Sequence, residues 1–152
     1  MAHSKFIERR LCKETTVPCP RADVWRAWTD PLELTRWFCR AANVELRPDG
    51  PYEILFLMDN EPGLQGGEGN VIQSYEPNRL LAFTWNAPPQ FGPLRDERTW
   101  VRVELSDNAH GTHVSLIHYG WRDGEDWEAV YHYFDQAWDR VLNALSSHFP
   151  AQ

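Results

Sequence analysis

The chain has 152 residues, 42% of them apolar and 24% charged, and carries a formal net charge of −7. A chain of this size buries roughly 70% of its unfolded surface without disulfide or metal staples, so residues 1–152 are expected to form a single domain. The acidic balance, with "ERR" and "LRDER" mixing both signs, excludes nucleic acid as an expected partner and disfavours an anionic membrane surface.

Cys12, Cys19 and Cys39 form no CxxC pair. They are expected to be reduced, buried or half-buried thiols in a cytoplasmic protein. The opening "MAHSKFIERR" is charged where a secretory leader needs an apolar run. No stretch nears the ~18 apolar residues of a membrane span. Eight tryptophans point to a bulky core or a large apolar cavity.

"FIERRLCKETTV" at 6–17 reads as a strand, with Ile7, Leu11 and Val17 sharing a parity. "VPCP" stops it, and Pro20 suits the first position of a helix in which Val24, Trp25 and Trp28 fall at helical spacing. "TDPLELTRWF" restarts as a second short helix. Asp30 is its cap, Pro31 its first residue, and Glu33 stands where a capping box wants a carboxylate. Trp25, Trp28 and Trp37 read as core, with one of them available for a cavity mouth.

From 43 to 120 the period changes to two. "NVELRPDGPYEILFLM" reads as a hairpin around Pro48-Asp49-Gly50, and "GNVIQSYEPNRLLAFTW" as another turning at Pro77-Asn78. "NAPPQFGPLRDE" at 86–97 is a long loop. In "TWVRVELSDNAHGTHVSLIHYGW", Val101, Val103 and Leu105 answer Val114, Leu116 and His118 across a third turn. "RDGEDWEAVYHYFDQAWDRVLNALSSHF" closes the chain as an amphipathic helix of roughly 36 Å. Asp123 is its expected cap, and Glu125, Asp126 and Glu128 favour its positive start. The element order predicts an α+β fold: a curved antiparallel sheet of about seven strands around the long C-terminal helix, with two short helices after the first strand.

Four stretches in this order, "VPCPRADVWRAWTDPLELTRWF", "GNVIQSYEPNRLLAFTW", "GTHVSLIHYGW" and the aromatic terminal helix, resemble the helix-grip (START and birch-pollen-allergen-like, SRPBCC) superfamily. Within it they are most similar to bacterial single-domain relatives of the C-terminal domain of the activator of heat-shock-protein-90 ATPase. The resemblance covers nearly the whole chain. It implies a cavity between sheet and helix, and leaves chemistry open, because this superfamily holds binders, transfer proteins, cyclases and oxygenase subunits.

Strand parity offers Phe56, Met58, Trp85, Leu116 and His118 as the sheet side of that cavity, and the helix offers Tyr131, Phe134 and Trp138. Each reads equally as ordinary core. His118 is either a neutral, internally bonded imidazole or a polar anchor for a ligand; a general base would need a partner that spacing does not supply. His110 and His113 in "HGTH" lack a third ligand, so no metal site is expected, and no cofactor or catalytic residue is assigned. "GLQGGEG" at 63–69 leads into a strand, so it reads as a flexible rim loop and not as a nucleotide cradle. In "YEILFLMD" both parities are apolar. Leu55 and Leu57 are expected on the outer sheet face with Trp100, where they would support a weak homodimer. The leading functional expectation is non-enzymatic binding of a small hydrophobic molecule. The rivals are a protein-interaction module stimulating a chaperone ATPase or another partner, and a cyclase- or hydratase-like enzyme.

Overall fold

The terminal helix and the strands before it each carry one apolar face, and the fold buries those faces against each other. The computed structural model describes residues 5–149; residues 1–4, where the charged opening stretch begins, and 150–152 lie outside the described part. In chain order the elements are β1 (Leu11–Val17), α1 (Arg21–Thr29), α2 (Pro31–Trp37), β2 (Ala41–Val44) and β3 (Tyr52–Leu55). There follow β4 (Ile72–Glu76), β5 (Leu80–Trp85), β6 (Thr99–Asn108), β7 (Gly111–Tyr119) and α3 (Glu125–His148).

The strands form an antiparallel five-stranded sheet in the order β1-β7-β6-β5-β4 and a separate β2-β3 ribbon. Single bridges, Pro51 with Val71 and Leu55 with Gly66, tie the ribbon to the chain entering β4. The expected strands are present, but the sheet is divided because β3 ends at Leu55 and a glycine-rich loop follows. The third hairpin pairs as its pattern predicts: Val101 with His118, Val103 with Leu116, Leu105 with Val114. Asp49 and Asn78 take positive φ, 60° and 64°, at the turns assigned to them, a conformation that short polar side chains tolerate.

Several local expectations are corrected. β1 starts at Leu11 and not at Phe6, because the Arg9 N–H turns back to the Ile7 carbonyl and breaks the ladder. Pro20 caps α1 from outside. Asp30 accepts from the Leu32 N–H at 2.9 Å, but no capping box closes, because the Asp30 N–H already donates to the Arg26 carbonyl. Glu33 pairs with Arg36 instead. Asp123 accepts from the Lys5 N–H at 2.9 Å, and α3 opens behind Gly124 with no side-chain cap. Residues 86–97 are not wholly irregular: tight 3-10 turns run over Pro89–Asp96 and break at Gly92, where φ is 56°.

α3 buries Trp127, Val130, Phe134, Trp138, Leu142 and Leu145. Along its edge Lys13 of β1 reaches Asp135 at 2.8 Å and Asp139 at 3.0 Å, and the Thr15 and Ser146 hydroxyls meet at 2.9 Å. Exposed ion pairs contribute at most about 1 kcal/mol each, whereas a buried Leu or Phe contributes roughly 1.5–3. The apolar stripe therefore dominates the docking. Leu116→Ala, at a fully buried site, is expected to cost about 2–5 kcal/mol. Leu57→Ala, at a site 45% exposed, should stay within about 0.5 kcal/mol. Guanidinium unfolding of both variants checks this, and equal losses would contradict the burial pattern.

Candidate functional site

Where α2, the ends of β3 and β5, and the middle of α3 converge, aromatic rings meet and leave a gap. Trp37 and Phe38 come from the end of α2, Phe56 from just beyond β3, and Trp85 from the last position of β5. From α3, Phe134 and Trp138 form one wall, while Tyr133, Ala137, Arg140, Val141 and Ala144 form the flank. The result is a cleft of about 290 Å³ that opens to the surface.

The rings hold one another. Trp85 lies 5.6 Å from Trp138 between centroids, Phe38 lies 5.6 Å from Phe56, and Trp37 lies 4.9 Å from Phe38. Tilted and edge-to-face contacts of this kind add about 0.5–1.5 kcal/mol each beyond area burial. The Trp37 N–H donates to the Ala27 carbonyl at 2.8 Å, which fixes that indole as the cleft-side member of the three early tryptophans. Trp25 and Trp28 are buried in the core.

Of the residues singled out by parity, the fold brings Phe56, Trp85, Phe134 and Trp138 together at the cleft. Leu116 and His118 stand behind its wall, fully buried. Met58 is 43% exposed, because strand alternation has ended by Leu55. Tyr131 turns aside, edge-on to Trp121, with the Arg9 guanidinium 3.4 Å above its ring. Pattern reasoning missed Phe38, Tyr133, Ala137, Arg140, Val141 and Ala144. One signal was available for Tyr133, Ala137, Val141 and Ala144: they form a stripe one step round from the buried one. Small residues at 137 and 144, two turns apart, leave room there.

His118 is tied at both ring nitrogens. The Trp138 Nε1–H donates to Nδ1 at 2.9 Å, so Nδ1 carries no proton. Nε2 then holds the hydrogen and donates to Thr99 Oγ1 at 2.7 Å. Burial pushes the imidazole down to about 3, so it is neutral at pH 7. The reading of His118 as a ligand anchor is corrected: neither nitrogen is left for a guest.

Other candidates resolve into structure. In "GLQGGEG" the Glu68 carboxylate accepts from the N–H groups of Gly63, Gln65 and Gly66 at 2.6, 3.0 and 2.9 Å. Burial raises this carboxyl, but the backbone donors outweigh it and hold it below its ordinary value. Arg95 donates to the Ala87, Gly63 and Gly66 carbonyls. The loop is thus a pinned turn with an anion of its own, and the expectation of a flexible rim is corrected. His113 lies 3.2 Å from Glu14. Cys39 is buried and Cys19 half-buried, each thiol pushed up to about 11 by burial. Cys12, on the outward parity of β1, is exposed.

On the opposite face of the sheet, Trp100 stacks on Tyr119 at 5.9 Å and lies 5.8 Å from Phe6. Leu55 belongs to the separate β2-β3 ribbon and Leu57 follows it, whereas the groove beside Trp100 is lined by Phe6, Ile7, Glu8, Arg9, Arg10 and Tyr119, so the outer patch differs from the expected one. Gly120 sits beneath this indole with φ of 91°; an added Cβ would lie 2.3 Å from the Trp100 ring.

The family model described as "Activator of Hsp90 ATPase homolog 1-like protein" matches residues 18–149. A Mesorhizobium loti protein of known crystal structure is 24% identical, with 91% of this chain and 95% of that chain covered and a TM-score of 0.74. A Chromobacterium violaceum protein is 18% identical over 96% and 100% of the two chains, with a TM-score of 0.70. The AHSA1-like protein of Rhizobium etli, solved in solution, is 20% identical over 96% and 84%, with a TM-score of 0.67. Identities this low establish a shared fold. No curated protein matches the chain. No helix among the described residues is long and apolar enough to cross a membrane.

The His118 geometry fixes a pH dependence. The imidazole stays neutral in the folded state down to about 3, while the unfolded chain protonates it near 6.5. Between those values the unfolded state binds the extra proton, so stability falls as pH falls, by about 1.4 kcal/mol per unit. The stability gap between the wild type and His118→Asn should therefore narrow from pH 7 to pH 5 in urea unfolding. A constant gap would contradict the neutral, buried imidazole.

Proposed function

The chain belongs to the activator of Hsp90 ATPase homolog 1-like family, and on that premise we propose that it is a non-enzymatic binder of a small hydrophobic molecule. The supporting observation is the ring-lined cleft beside α3, whose lining is apolar apart from Arg140 and the Tyr133 hydroxyl. Its volume of about 290 Å³ lies at the lower bound of small-molecule pockets, roughly 300–1,000 Å³. A cavity of roughly 150 Å³ holds one benzene ring, so this cleft matches a two-ring or short-acyl guest. Rigid aromatic walls lower the entropy cost of binding, because few rotamers remain to be frozen.

An enzyme of the cyclase or hydratase kind would need a proton-transfer pair facing the guest. Among the described residues the lining carries no carboxylate, thiol or imidazole, and His118 faces Thr99 and Trp138. A reducing cytoplasm suits the free Cys12, Cys19 and Cys39.

A protein-interaction module is the second reading, favoured by the outer face. Phe6 is 59% exposed and Tyr119 36% exposed, both against Trp100. Such a patch fits a protein partner or a weak homodimer through that face. Sedimentation at millimolar concentration is expected to show self-association, weakened by Trp100→Ala; a strictly monomeric profile removes the homodimer.

The primary test uses a neutral dimethylaminonaphthalene probe. Its emission is expected to rise and shift to the blue with the wild type. Ala137→Trp, which fills the cleft from α3, should weaken affinity about tenfold or more while leaving the circular dichroism and Tm near wild type. Undiminished binding by that variant would overturn the assignment of the site.

A further inference from the structure

We propose that the guest of the cleft is an apolar carboxylate, its ring body against Trp85, Phe134 and Trp138 and its charged head on the Arg140 guanidinium. This rests on the reading of the cleft as a binding site and names the class of molecule it takes.

α3 is an acidic helix in which Arg140 is the sole Arg or Lys. Its acids on the β1 side are already committed: Glu128 to Arg9, and Asp135 and Asp139 to Lys13. Helical geometry brings residues three and four positions away beside Arg140. These are Gln136, Ala137, Asn143 and Ala144, and none carries a charge. Arg140 therefore stands exposed at the cleft without a carboxylate partner among the described residues.

The rest of the lining is ring, methyl and isopropyl surface with the single hydroxyl of Tyr133, which carries no charge to answer the guanidinium. A wholly apolar guest would leave that cation untouched, and a cationic guest would be repelled by it. An anion with an apolar body satisfies both parts of the site. A planar carboxylate matches the guanidinium fork with two parallel hydrogen bonds. The small side chains of Ala137 and Ala144 keep the space between ring wall and guanidinium open. The overall charge of −7 opposes an incoming anion. That field is screened within about 10 Å at 0.1 M salt, whereas the local pair acts at contact distance, so the local pair decides.

The test compares 2-naphthoate with 2-naphthamide, which share shape and differ in charge, by titration calorimetry at low salt. Wild type should bind naphthoate roughly fivefold or more tighter than naphthamide, with the ratio shrinking as salt rises. Arg140→Gln should bring the ratio to about one, and Arg140→Lys should restore part of it. Equal binding of the two probes by wild type, or a preference that survives Arg140→Gln, overturns this inference and leaves the cleft assignment standing. Failure of both probes to bind overturns the two together.

Discussion

The hydrogen bond from the Trp138 indole to His118 Nδ1, 2.9 Å long and fully buried, fixes how the long helix sits on the sheet. A hydrophobic stripe alone specifies a face of about 100° and tolerates rolling within it. A directional bond between two rings does not. With Trp138 turned to the strands, a helical step of about 100° per residue sends Ala137, Val141 and Ala144 to one side and Asp135 and Asp139 toward Lys13 on the other. The cleft flank and the acidic edge follow from that one orientation. The partner chain continues into the sheet, because His118 Nε2 is held in turn by Thr99 across the β6–β7 ladder. A neutral imidazole that donates once and accepts once carries this chain with no buried charge, the condition under which a polar core group costs little.

Aromatic packing then explains why a gap persists. Trp85, Trp138, Phe38 and Phe56 lock at centroid distances of 5.6–6.4 Å, and flat rigid rings do not collapse into an irregular space as Met or Leu side chains do. The indole N–H groups of Trp28, which is edge-on to Phe38, and of Trp127, at the start of α3, are buried without an acceptor among the described residues, each costing about 1–3 kcal/mol. The area those indoles bury, roughly 150–250 Å² apiece, offsets that cost.

Most of the fold was legible in the letters because it rests on periodicity. The Val101–Leu105 and Val114–His118 alternation fixed the β6–β7 register, Pro-Asp-Gly and Pro-Asn marked the hairpin turns, and the three- and four-residue steps from Trp127 to Leu145 marked α3. Competition between local hydrogen bonds was not legible. Asp30 capped as its sequence context indicates, but the Arg26 carbonyl took its N–H from Glu33, and Asp123 was diverted to Lys5. The site divided along the same line. Phe134 and Trp138 were readable as inward helix positions, and Trp85 by strand parity. Met58 failed because parity was extended past the point where β3 ends, and Arg140 was invisible because a lone exposed arginine on a helix has no pattern of its own. Its meaning comes from which neighbours lack charge, and from a gap formed by elements distant in sequence.

Gly120, pressed beneath Trp100 just past the end of β7, has a consequence for how the hairpin closes. The side chains of β7 alternate between two unlike environments, His118 in the core and Tyr119 at the surface, so sliding by a single position would offer a phenol to Trp138 where an imidazole acceptor is required. The bare backbone at 120 admits the bulky indole at one alignment only, since any neighbour shifted into its place brings a Cβ within 2.3 Å of the ring. The contact therefore acts as a detent: it makes out-of-step closures of the two longest strands sterically expensive and keeps the buried imidazole within reach of its helix partner.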